Sequence, residues 1–355
     1  MHLSEPGPYL RFSVEKNAGL ICLDRPAALN AINKQMALAI TAQLQAWRDD
    51  DRVGHVVITS SAAKAFCAGG DIREVHAKIT KGDSDFATSF FRAEYMMDVT
   101  VAEFEKPVIA LADGLVIGGG AGLAQACQHL VISDATRLAM PEAAIGLFPD
   151  AGASLFFGRC PRSIALYLGL VGPFLGAADC LLLGLAEAMV PGEQMAALET
   201  ALIGCETEQI ESVIERFRSD PGAAHLPQMR SVLDHVFTGS DLVAMQQRAN
   251  DLTQIKENRL AADIAQALAT KCPMTHHVYV RLLETAAHIT TLPEAMALDF
   301  QLAIKMTARP DFVEGVRAVL IDKTNDAGWQ PARLEDVSSA MVDDVFATSG
   351  LPALR

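Results

Sequence analysis

The stretch that most constrains this chain is residues 118–152, GGGAGLAQACQHLVISDATRLAMPEAAIGLFPDAG. A glycine triplet opens an apolar run with helical spacing, a short strand-like stretch follows, and two carboxylates, Glu142 and Asp150, come next. Glycine has no Cβ, so backbone there can come close to a ligand. The first N–H groups of a helix lack intrahelical acceptors and carry partial positive charge. Such a place suits an oxygen that becomes negative during a reaction. A carboxylate close by could then move a proton or attack a carbonyl carbon. The segment predicts polar chemistry at a carbonyl, with no metal required.

The rest of the chain narrows the class. Its 355 residues suit one large domain, or a domain with an extension, and half of them are hydrophobic, enough for a sizeable core. Apolar stretches such as residues 107–115 are too short to cross a bilayer, and the first residues lack the basic start and apolar run of a signal peptide. The formal net charge of −14, without a basic stripe, speaks against general nucleic-acid binding. An anionic ligand must then be met by local cations or backbone donors. The seven cysteines are scattered, with no CxxC pair and no zinc spacing, which fits reduced thiols in the cytoplasm. No membrane or nucleic-acid partner is expected.

Along the chain, residues 9–16 and 19–24 read as a hairpin turning at Asn17-Ala18-Gly19. Residues 33–49 carry Met36, Ile40, Leu44 and Trp47 at helical spacing. Residues 55–59, 107–112 and 130–133 read as buried strands, and residues 86–104 and 119–127 as helices. Strand and helix alternate to about residue 160, which predicts stacked βα units. Beyond that, residues 193–219, 239–270 and 293–306 read as helical, with Pro221, Gly222 and Pro227 marking a break. Two glycine loops, residues 68–71 and 118–120, each follow a strand and start a helix. Together they could bring two backbone N–H groups to one oxygen; taken singly, each could equally be a tight strand-to-helix turn. Glu142 follows Pro141 at a helix start, and Asp150 could cap the helix that begins after it.

Four motifs make the chain resemble the enoyl-CoA hydratase/isomerase (crotonase) superfamily: LDRPAALNAIN at 23–33, KAFCAGGDIRE at 64–74, KPVIALADGLVIGGGAGLA at 106–124 and MPEAAIGLFPDAG at 140–152. The resemblance implies an α/β fold, a crotonase-like spiral of ββα units over residues 1–190 that binds acyl-CoA and carries the catalysis, with a mainly helical region over 191–355. It implies an oxyanion hole for an acyl-CoA thioester built from the N–H groups of Gly70 and Gly119. Ala68, Gly70 and Ile72 would meet the CoA, and Gly70, Asp71, Ile72 and Gly119 the substrate. Hydratases of the superfamily carry a glutamate two residues after the glycine triplet, where this chain has Gly122. With that carboxylate gone, ordinary hydration is not expected.

The forms FCAGGDIR, PEAAIGLFPDAG and EGVRAVLIDK at 314–323 resemble the 3-hydroxyisobutyryl-CoA hydrolase branch. That resemblance implies hydrolysis of a short 3-hydroxyacyl-CoA as in valine degradation. Glu142 would be the main catalytic carboxylate, as nucleophile or general base, Asp150 its partner, and Glu94 a substrate contact. No cofactor is implied, since coenzyme A is part of the substrate, and a homo-oligomer is common in the superfamily. Arg25, Lys64 and Arg73 could meet the CoA phosphates or stay on the surface. An isomerase or atypical hydratase is one alternative, a non-catalytic acyl-CoA-binding protein another. Residues 151–154, AGAS, stand where the branch has further glycines, and CPMTHH at 272–277 where it tends to read SPTS. Both departures bear on the shape of the acyl pocket.

Overall fold

The structure is a computed structural model that describes residues 9–83, 85–256 and 258–355. The reading of the first residues as lacking a signal peptide lies largely outside these. By contacts the chain forms two compact units, each drawn from three stretches: the chain up to Asp71 with Ala93–Ala139 and Phe174–Ala224, and Ile72–Arg92 with Met140–Pro173 and His225–Arg355. The sequence changes character near residue 190, whereas the spatial units interleave along the chain.

The first unit holds the strands, in two sheets. These are β1 (Leu10–Glu15), β2 (Ala18–Leu23), β3 (His55–Ser60), β4 (Ala65–Cys67), β5 (Val108–Ala112), β6 (Leu115–Ile117), β7 (His129–Ser133), β8 (Arg137–Ala139) and β9 (Ala188–Val190). The six-stranded sheet runs β1-β2-β3-β5-β7-β9 and the three-stranded one β4-β6-β8. β1 pairs antiparallel with β2, and every other pair is parallel. After the β1–β2 hairpin, the pairs β3/β4, β5/β6 and β7/β8 each send one strand to the large sheet and the next to the small sheet, and then turn into a helix or helical turn. This is the ββα spiral expected from the motifs.

Local sequence explains most of it. β3 and β5 are nearly all buried, as parallel strands covered on both faces must be. One face of the large sheet packs Val57, Ile109, Val131 and Val190 against Leu198, Leu202, Val213 and Ile214 of the helices Met195–Ile203 and Ile210–Phe217. Residues 193–219, expected as helical, are thus two helices joined by a short 3-10 turn at Thr207–Gln209. The hairpin turn differs from the expected one. It lies at Lys16 and Asn17, with Lys16 left-handed at φ 54°, and Ala18 and Gly19 already belong to β2.

The second unit is helical. The stretch 239–270, expected as one helical block, holds the helices Leu242–Lys256 and Arg259–Thr270; the Asn258 side chain caps the latter by accepting from the Ala261 N–H. Pro227 opens the helix Leu226–Val236 within its first turn rather than breaking one. The helix Arg162–Val171 lies against Tyr279, whose hydroxyl donates to the Ala165 carbonyl at 3.0 Å. No helix among the described residues is long and apolar enough to cross a membrane.

One glycine ties the helix Gly119–Ala126 directly to β4. A Cβ on Gly120 would sit 2.5 Å from the Cys67 carbonyl oxygen and 2.8 Å from its Sγ. Gly120→Ala should therefore destabilise the protein by about 1–3 kcal/mol, the usual cost of overpacking. Urea unfolding against the parent measures this, and an unchanged midpoint would show that helix and strand can part freely.

Candidate functional site

The first unit builds a cradle of backbone donors. β4 ends in the loop Ala68-Gly69-Gly70-Asp71, which the 23–33 motif holds from below. The Ala68 N–H donates to the Leu29 carbonyl at 3.0 Å, the Ile32 N–H to Gly69 at 2.8 Å, and the Asp71 N–H to Ile32 at 2.8 Å. Leu29 and Asn30 reach these partners in the left-handed region, at φ 50° and 58°. The buried Asn30 side chain locks the turn: its Oδ1 accepts from the Arg25 N–H at 2.8 Å, and its Nδ2 donates to Ser60 Oγ at 2.7 Å and to the Phe66 carbonyl at 3.1 Å. Nothing in the spacing of the motif singles Asn30 out, and its role was not visible in the sequence.

The second loop meets the first. The Gly118 N–H donates to Ala139 at 3.1 Å, and Gly119 opens its helix. A Cβ placed on Gly119 would lie 3.3 Å from the Gly70 nitrogen and 2.2 Å from Glu94 Oε1. Among the described residues, the Gly70 and Gly119 N–H groups have no backbone acceptor, as the start of a helix allows. Gly70, Gly119 and the buried Glu94 carboxyl thus come together so closely that only a residue without a side chain fits at position 119. Gly122 is buried in the same helix.

The neighbouring candidates separate. Arg25 donates to Asp71 Oδ2 at 2.7 Å and to the Ala31 carbonyl at 2.9 Å, and it stacks over Tyr9. It is an internal ion-pair partner of Asp71 rather than a surface charge, so part of the Asp71 carboxylate is engaged. Lys64 and Arg73 are exposed. Ala68 and Gly70 are partly exposed on the loop, and Ile72 begins the helix Ile72–Thr80. Cys67 donates to the Asn30 carbonyl; burial first, with Glu94 and Asp98 adding, pushes its thiol up to about 12. It is an inert core thiol.

The carboxylates Glu142 and Asp150 lie in the second unit, both buried. Glu142 opens the 3-10 turn Glu142–Ile145, and Gly146 closes it at φ 72° with its N–H on the Glu142 carbonyl. The helix Pro310–Val316 braces this turn so closely that a Cβ on Gly146 would sit 2.4 Å from the Asp311 carbonyl oxygen, and one on Gly315 2.5 Å from the Ile145 carbonyl carbon. That contact is the structural meaning of the EGV sequence at 314–316. The Cys272 N–H donates to the Ala143 carbonyl at 3.0 Å, and Lys271, which feels the charge of Glu142, donates to the Val171 carbonyl.

Asp150 is not the expected helix cap. The cap of the helix Ala153–Phe156 is Gly152, with no side-chain bond, and the Asp150 backbone carbonyl accepts from the Ala153 N–H at 2.8 Å. The turn instead draws in Asp299, which carries no sequence motif: its carboxyl accepts from the Gly152 N–H at 2.8 Å. Among the described residues, no group of three His, Cys, Asp or Glu side chains is arranged to hold a metal ion.

A spiral of ββα repeats, with two glycine loops converging beside a buried carboxyl, defines a crotonase-type protein. The chain belongs to the enoyl-CoA hydratase/isomerase family, whose sequence profile matches residues 18–346. A 3-hydroxyisobutyryl-CoA hydrolase of Xenopus laevis is 35% identical over 95% of this chain and 88% of its own length. The 3-hydroxyisobutyryl-CoA hydrolase 1 of Arabidopsis thaliana is 31% identical over 92% of this chain and 88% of its own length. Among solved structures, one described as an enoyl-CoA hydratase from Rhodobacter sphaeroides is 32% identical with a TM-score of 0.88, covering 98% of this chain and 99% of its own. One described as a carnitinyl-CoA dehydratase from Mycobacterium thermoresistibile is 28% identical with a TM-score of 0.91, over the same shares.

The surroundings of Glu142 have a consequence for acid stability. His276, one turn beyond Cys272, is fully buried, and neither ring nitrogen has a hydrogen-bond partner among the described residues. Burial first, then the charges of Lys271 and His277, push its pKa down to about 3. The fold therefore favours the neutral ring. This stability is fully present above the unfolded value of about 6.5 and is lost as pH falls from there towards 3. His276→Leu should flatten the dependence of unfolding free energy on pH in that window, by up to about 1.4 kcal/mol per pH unit. Urea unfolding across the window measures the slope, and an unchanged slope would mean that the ring is protonated without penalty.

Proposed function

We propose that the protein hydrolyses a short 3-hydroxyacyl-CoA thioester, with 3-hydroxyisobutyryl-CoA as the preferred substrate, to free CoA and the 3-hydroxy acid. The observation that carries this is the bare α-carbon of Gly119, flanked by the Gly70 nitrogen and the Glu94 carboxyl. It brings two backbone donors close together beside a group able to hold a hydroxyl. The hydrolase names of the vertebrate and plant relatives supply the substrate.

In this reading the N–H groups of Gly70 and Gly119 take the negative charge that forms on the thioester oxygen, each worth about 2.7–4 kcal/mol in the transition state. Glu142 either draws a proton from the attacking water or attacks the carbonyl itself. The second course gives a mixed anhydride and releases the CoA thiol, and water then cleaves the anhydride. Asp150 orients the water or the substrate hydroxyl. Glu94 binds the 3-hydroxyl, a role supported by its closeness to Gly119. Ala68, Gly70 and Ile72 line the path of the CoA, with Asp71 holding the loop through Arg25. The reaction needs no cofactor.

The names of the two structural relatives favour a second reading, hydration or dehydration of an enoyl-CoA. Gly122 counts against it, because the helix behind the donors then lacks the second carboxylate that positions water at a double bond. The cytoplasmic assignment rests on the seven free cysteines alone. The vertebrate relatives are named as mitochondrial.

Glu142→Gln keeps size and removes both charge and basicity. It should lower thiol release from 3-hydroxyisobutyryl-CoA by at least about 10²–10⁴-fold, with the thermal midpoint close to the parent's. Release at the parent rate by a folded variant would remove Glu142 from the mechanism.

A further inference from the structure

Asp299 lies inside the helix Leu292–Thr307 with no exposed surface. A carboxyl in such a place is costly unless it is bound. Its Oδ2 accepts from the Gly152 N–H at 2.8 Å, and its Oδ1 has no hydrogen-bond partner among the described residues. Leu292, two turns earlier on the same face, comes so close that a Cβ on Gly152 would sit 2.5 Å from its Cδ1. One helix thus meets the residue 150–152 turn twice, at the α-carbon and at the N–H of Gly152.

The turn needs such an anchor. Ala151 and Gly152 are both left-handed, at φ 50° and 82°. That region costs an alanine about 1–2 kcal/mol, so the conformation persists only where its surroundings impose it. Burial, with the nearby Asp150 adding to it, pushes the Asp299 carboxyl well above the usual carboxylate range, against the pull of the Gly152 bond. The fold thus favours the protonated carboxyl, which repels Asp150 less than a charged one would.

We propose that Asp299 is a positioning residue for thioester hydrolysis: fixed on the Gly152 N–H, its carboxyl holds the 150–152 turn and so aims the Asp150 carboxylate. The proposal rests on the reading of Asp150 as the partner of Glu142. It assigns to this chain a working residue that carries no motif and touches no substrate.

The test is a double-mutant cycle read by thiol release from 3-hydroxyisobutyryl-CoA, with circular dichroism melting as the control for folding. Asp150→Asn should lower kcat. Asp299→Leu fills the space without an acceptor and should lower kcat by about 100-fold, the cost of a misplaced group, with KM much less affected. In the Asp150→Asn background the same change should cost no more than about twofold, because the turn then has nothing to aim. Asp299→Asn keeps an acceptor for Gly152 and should stay within about threefold of the parent. If Asp299→Leu does not fold, Asp299→Asn decides: activity near the parent's supports the proposal. A folded Asp299→Asn that loses as much as Asp150→Asn overturns it. An impaired Asp150→Asn whose loss simply multiplies with that of Asp299→Leu overturns the positioning role while leaving Asp150 in the mechanism. An Asp150→Asn that works at the parent rate overturns the reading of Asp150, and the positioning role with it.

Discussion

The close approach of two backbone loops in the first unit is the constraint on which the candidate site depends. Gly119 has no side chain, and the atoms around its α-carbon leave no room for one: the Gly70 nitrogen is on one side and Glu94 Oε1 on another. Two N–H groups can face one oxygen only if both loops come this near. Bringing them there takes strain, in the left-handed Leu29 and Asn30, and glycine at the contacts. Gly120 does for the packing of helix on strand what Gly119 does for the site, since its α-carbon rests on Cys67.

The motifs outside the glycine loops hold those loops and the carboxylate turns in shape. Asn30 satisfies three polar neighbours from inside the core and fixes the turn that carries the Gly69-Gly70 backbone. In the second unit, Gly146 and Gly315 let the Glu142 turn and the helix Pro310–Val316 touch backbone to backbone. Glu314 beside it accepts from Arg317 and from the Gly328 N–H, which folds the following segment back onto that helix. Carboxylates on short turns are only as well aimed as the elements that brace them, and here the braces come from residues far along the chain.

Much of this was legible in the sequence, for physical reasons. β3, β5 and β7 are apolar runs bounded by polar residues, and the helix Lys34–Arg48 falls where the spacing of Met36, Ile40, Leu44 and Trp47 puts it. β4, β6, β8 and β9 were not legible, because three residues are too few to show a period. The glycine loops and Glu142 stood out through their motifs. Asp299 did not: an acid in an amphipathic helix reads as a solvated charge, and only the fold shows it buried on the Gly152 N–H. The cap role expected of Asp150 failed because the left-handed Ala151 and Gly152 move the helix start two residues on, so that Gly152 takes the cap.

Thioester cleavage, and not the addition of water to a double bond, is the reaction proposed for this member of the enoyl-CoA hydratase/isomerase family. The names of its relatives divide on that point, and Gly122 is where the chain itself takes a side. The most direct measurement follows the purified protein on two substrates: free thiol from 3-hydroxyisobutyryl-CoA, and loss of the enoyl absorbance from the 2-enoyl-CoA of the same carbon skeleton. A thioester hydrolase releases thiol rapidly from the first and leaves the double bond of the second intact. Loss of the double bond with no release of thiol would contradict the proposed reaction.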